Sequence, residues 1–160
     1  MKTLFVKTIL LFCLGLLSFF SIAYSNEKKT YSEFNQISFN VVEKEMFLDG
    51  EFPKNVNKHI DYWFSNKVKV SGFEGSVLIK LYDYNEKITK INNGKKIDIN
   101  MSFLIEIKKD QLKQKKTVKG SISSYGSLKG YFSLTDFDSI INDTQFDLIK
   151  RLSKDLKNQI

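Results

Sequence analysis

The chain has 160 residues, and 25 Lys+Arg against 18 Asp+Glu give it a formal charge of +7. One His, one Cys and one Pro exclude thiol chemistry, a disulfide framework and a Cys/His zinc site. An apolar fraction of 42% with that single Pro argues against long disorder, and the length suits one domain.

Residues 1–25 divide into the parts of a secretory signal. Lys2 and Lys7 form a basic start, residues 8–22 are apolar, and Ala23 and Ser25 offer small residues where a signal peptidase reads. Fifteen apolar residues are short for a bilayer span, which needs about 20. The expectation is a cleaved signal and a periplasmic or secreted product; the alternative is an uncleaved N-terminal inner-membrane anchor. Cys13 lies inside the apolar stretch after Phe12, not at a lipidation position. Removing the signal leaves 135 residues, no Cys and a charge of +5. An exported chain whose only Arg is Arg151 is not expected to bind nucleic acid.

Residues 26–35 are polar and read as a flexible leader, with residues 36–160 forming a single α+β domain. Residues 36–47 read as a first strand, where Ile37, Phe39 and Val41 alternate with polar positions. Asp49-Gly50 ends it in a turn. Pro53 suits the first position of a helix reaching Lys67, with Val56, Ile60, Trp63 and Phe64 at helical spacing. Ser71-Gly72 and Gly75 break the chain. Taking Asn93-Gly94 as the centre of a hairpin turn pairs Ile88 with Ile99 and Tyr84 with Phe103. Earlier in that strand the apolar parity moves to Val77, Ile79 and Leu81. One extra residue near Leu81-Tyr82, a β-bulge, restores the match and sets Leu81 against Ile105.

The third strand places Ile97, Ile99, Met101, Phe103, Ile105 and Ile107 on odd positions. A fourth strand, residues 116–124, turns Val118, Gly120 and Ile122 to one face, and residues 125–132 are expected to bend out of the sheet. The last helix carries a stripe of Ile141, Leu148, Ile149, Leu152, Leu156 and Ile160, with Asp138 or Ser133 as its cap. The order β-α-β-β-β-α predicts a two-layer sandwich. It has an antiparallel sheet of about four strands with two helices on one face. The partner of the first strand is left open.

No catalytic motif is visible, and the chain reads as a non-enzyme without cofactor or metal. His59 has no partners placed around it by sequence and reads as a boundary or surface residue of the first helix. Asp136, Asp138 and Asp143 suit the start of the last helix better than a calcium loop. The best surface candidate is the turn between strands three and four. Lys108, Lys109, Lys113, Lys115, Lys116 and Lys119 crowd into twelve residues, with Asp110 between them and Leu112 at the tip. Such a cluster reads either as a solvated turn that deters aggregation or as a contact for anionic headgroups. A pocket between helix and sheet, lined by Trp63, Tyr82 and Tyr84, would instead make a small-ligand or lipid-binding module.

In order of elements, residues 36–47, 53–67, 77–124 and 146–160 resemble the small periplasmic domains of bacterial envelope assembly. Among these, the chain resembles the lipopolysaccharide-assembly lipoprotein family (LptE-like). The last of these segments, from Leu148-Ile149-Lys150-Arg151-Leu152 onward, is similar to the terminal helix of such domains. Members of that family are lipidated, and this chain lacks the required Cys. The resemblance implies an accessory or structural role in envelope assembly. The partner would be an envelope protein or an anionic lipid or lipopolysaccharide surface, met in that family by a basic tip to which residues 108–119 correspond in position. Neither the specific partner nor the oligomeric state follows from the sequence.

Overall fold

A computed structural model of the chain describes residues 29–109 and 114–160. Ala23, Ser25, Asp110, Leu112 and Lys113 lie outside the described residues. The elements are β1 (Ile37–Phe39), β2 (Glu43–Asp49), α1 (Lys54–Lys67), β3 (Val68–Val70), β4 (Ser76–Ile91), β5 (Gly94–Lys109), β6 (Gln114–Lys129) and α2 (Leu134–Gln159). The α+β architecture is the one expected. A four-stranded sheet in the order β2-β4-β5-β6 is packed on one face by the helices, and β1 and β3 form a separate pair.

Alternation explains the layering. Odd positions of β5 from Ile97 to Ile105 are buried, whereas Leu104 and Glu106 on the other face are only partly covered. Trp63 and Ile60 of α1 and Leu148, Ile149, Leu152 and Leu156 of α2 close the core from the helical side. Each of these large side chains contributes roughly 1.5–3 kcal/mol by leaving water.

The four-stranded sheet is mixed rather than wholly antiparallel, because β2 runs parallel to β4; in the separate pair β1 also runs parallel to β3. Helix α1 is the crossover that both parallel pairs require. The expected first strand is one path broken at a corner. Val41 is fully buried there, and a Cβ on Gly72 would stand 2.5 Å from the Asn40 carbonyl carbon. That close backbone approach bends the chain between β1 and β2. Pro53 occupies the position just before α1 rather than its first turn.

The β4–β5 hairpin turns on Asn92-Asn93, one residue earlier than expected, with Asn93 at φ +58°. Ile88 therefore faces Ile97, and Leu81 faces Phe103. The bulge is present. Between the pairs Tyr82–Ser102 and Asn85–Asn100, Asp83 and Tyr84 oppose the single residue Met101, and Asp83 adopts φ +54°. Residues 125–129 stay in the sheet as the end of β6. Gly126 serves helix packing there rather than a bend, since a Cβ would lie 2.4 Å from Thr144 Oγ1 of α2. Ser133 caps α2: its Oγ accepts from the Asp136 N–H at 3.1 Å, and Asp136 Oδ2 accepts from the Ser133 N–H at 2.8 Å.

Residues 29–35, expected to be loose, form a strap across both helices. Phe34 is buried, and Lys29 pairs with Asp147 at 2.8 Å. Glu33 pairs with Lys150.

Candidate functional site

The lysine cluster lies where β5 ends and β6 begins, and the strand pleat divides it between two faces. Lys108 stands opposite Lys115, and Lys119 opposite Leu104, on the face away from the helices. Lys109, opposite Gln114, and Lys116, opposite Ile107, point to the helical side. Directly opposed like charges oppose pairing. Glu106 relieves part of this, with Oε1 2.8 Å from Lys115 Nζ. The hydrogen bond from Lys115 holds the Glu106 carboxyl below the usual carboxylate range, helped by the charges of Lys108 and Lys119.

On the helical side, Lys109 and Lys116 border an open cleft of about 330 Å³. Its apolar lining comes from Phe39 of β1, Ile107 of β5 and Ile160 at the end of the chain, with Ser38, Asn40 and Gln114 adding polar groups. These residues converge because α2 runs back over the sheet and ends beside β1. The sequence marked the lysines by their density. It gave no sign of the cleft, whose parts are up to 122 residues apart, from Ser38 to Ile160. Chemically the site offers two ammonium groups beside an apolar floor, which suits an anionic headgroup with hydrocarbon attached.

The other candidates separate. Trp63 is fully buried in the core. Tyr82 is on the open sheet face, where Lys80 lies 5.6 Å from its ring. Tyr84 contacts Phe52 at 5.4 Å and donates to Glu86 at 2.8 Å. The three do not line a shared pocket. Burial and the adjoining Glu86 raise the Tyr84 phenol well above its ordinary value.

His59 is buried, not at a boundary. Its Nδ1 is 3.1 Å from the Tyr31 hydroxyl, and its ring meets Phe146 edge to face at 5.4 Å. Burial lowers its pKa below the ordinary value, partly opposed by Asn142. Asp136 is engaged in the α2 cap, and no group of three His, Cys, Asp or Glu side chains able to hold a metal occurs among the described residues. No helix among the described residues is long and apolar enough to cross a membrane.

No family model matches the sequence, and no curated protein matches it. Solved structures share the fold. A minor lipoprotein from Acinetobacter baumannii is similar at a TM-score of 0.50 and 12% identity, over 74% of this chain and 94% of that one. Rare lipoprotein B from Shewanella oneidensis is similar at a TM-score of 0.50 and 8% identity, over 74% and 96%. A hypothetical protein from Chlamydia trachomatis is similar at a TM-score of 0.50 and 8% identity, over 77% and 96%. At these identities the likeness is one of fold.

Proposed function

We propose that the chain is a non-catalytic protein of the bacterial envelope with an accessory or structural role in envelope assembly. It works in the periplasm, through the Lys108–Lys119 end of the sheet, on an envelope protein partner or an anionic lipid such as lipopolysaccharide. The observation that carries this reading is the placement of Lys109 and Lys116 at a cleft floored by Phe39, Ile107 and Ile160. The export signal expected in residues 1–25 and a fold shared with two bacterial lipoproteins support the compartment.

Fractionation of cells bearing a photo-crosslinker at Gln114, followed by mass spectrometry, tests compartment and partner together. The expected product is a crosslink to an envelope protein or to lipopolysaccharide in the periplasmic or membrane fraction, lost when Lys113, Lys115 and Lys116 are changed to Glu. Recovery only in the cytosol, or a crosslink indifferent to those charges, overturns the reading.

The same cleft favours a second reading, a lipid- or small-ligand-binding module. Its distinguishing result is saturable, one-to-one binding of a single-chain anionic amphiphile that Ile107→Glu abolishes.

A further inference from the structure

The opposite end of the sheet carries a second basic surface of different make-up. There the β4–β5 turn meets the segment joining β6 to α2, tied by the Gly130 N–H donating to the Asn93 carbonyl at 2.8 Å. Lys90 stands opposite Lys95, and Gly94 opposite Lys129, so three ammonium groups share the last rungs of the sheet. Residues 88–97 and 126–135 contain four lysines and no carboxylate. Lys96 is paired with Asp98 at 2.6 Å; Lys90, Lys95 and Lys129 have no carboxylate partner among the described residues.

Three acids flanking this end of the sheet are already engaged. Glu86 accepts from Tyr84 and Gln145, Asp98 holds Lys96, and Asp136 caps α2. Beside these lysines, Tyr131 and Leu134 are exposed at 111% and 83%, and Ile88 at 48%. Tyr131 and Leu134 add almost nothing to the core. Phe132 and Phe137 stack behind them at 6.2 Å, and Lys95 Nζ lies 4.3 Å over the Phe137 ring.

We propose that this tip docks on an anionic bilayer surface, with Tyr131 and Leu134 entering the interface. The lysines complement headgroup phosphates, a tyrosine sits well at headgroup depth, and the leucine reaches the acyl boundary. A small soluble anion would use the lysines and leave the apolar groups in water. A stable protein interface needs a larger apolar centre than two or three side chains supply. The tip is independent of the Lys108–Lys119 site and stands whether or not that site binds anything.

The test uses the full chain carrying Cys13→Ser, with a polarity-sensitive fluorophore attached through Thr135→Cys next to Leu134. Vesicles of phosphatidylglycerol are expected to shift its emission to the blue, and vesicles of phosphatidylcholine are not. Tyr131→Ser with Leu134→Ser should abolish the shift. Lys95→Glu with Lys129→Glu should raise the lipid concentration at half-signal about tenfold or more. Reversing Lys113, Lys115 and Lys116 at the other end should leave the signal in place. No shift overturns the proposal. So does an equal shift on phosphatidylcholine, one that survives loss of Tyr131 and Leu134, or one abolished by the distant reversals.

Discussion

His59 sits among Tyr31, Phe146 and Asn142 with its Nε2 buried, and that burial disfavours the charged imidazole in the folded chain. In the unfolded chain the same ring titrates near its ordinary value of 6.5. As pH falls through that value the unfolded chain takes up a proton before the folded one does. Stability from this residue is therefore fully present above about pH 6.5 and declines below it, down to the lowered folded value. Glu33 acts in a different window. Its carboxyl is lowered by Lys150, so its contribution is present above 4.5 and fades only below. Between pH 7 and 5 the slope is thus expected to belong to His59. His59→Phe should leave urea midpoints at pH 7 and pH 5 closer together than in the parent. An unchanged gap would show that other groups carry the acid sensitivity. The buried site was not legible in the sequence, because Tyr31 reaches His59 only through the strap.

At the scale of elements, the strand pattern was legible and the exact turn was not. Reading Asn93-Gly94 as the central pair misplaces the register by two residues, which preserves which face each side chain takes. The alternation of β5 was therefore read correctly despite the wrong partners. Gly94 resembles a turn glycine but has another task. A Cβ there would lie 2.0 Å from the Leu128 carbonyl oxygen of β6. The bulge was legible because it changes parity, and its backbone makes a sharp demand. Asp83 is in the left-handed region, which Asp tolerates and a β-branched residue does not. Asp83→Val should lower unfolding free energy by about 1–2 kcal/mol, while Asp83→Gly should stay within about 0.5 kcal/mol of the parent. Equal losses for both variants in urea titrations would place the constraint in the Asp side chain instead. The parallel pairs left no local trace, since β2 and β4 meet only after α1 has folded back.

For the whole molecule, the long β4–β5–β6 ribbon separates two basic ends of unlike character. Density along the chain made the Lys108–Lys119 end legible, whereas Tyr131 and Leu134 look like ordinary core residues until α2 is placed. The same non-local assembly explains the strap. Polar composition made residues 26–35 read as a loose leader, yet Phe34 packs 4.7 Å from Phe146 of α2 and 6.5 Å from Tyr62 of α1. It touches both helices. Truncating a buried Phe costs about 3–5 kcal/mol, a large part of the roughly 5–15 kcal/mol that holds a domain. A signal cleaved after Ser25 would leave this strap intact. Phe34→Ala should therefore lose about 3 kcal/mol in chemical denaturation, and a chain beginning at Gln36 should lose at least as much. A loss below about 1 kcal/mol in both would mean that the helices pack without the strap. If both losses occur, the folded domain extends to the N-terminal side of β1, and its lower limit lies close to the expected cleavage site.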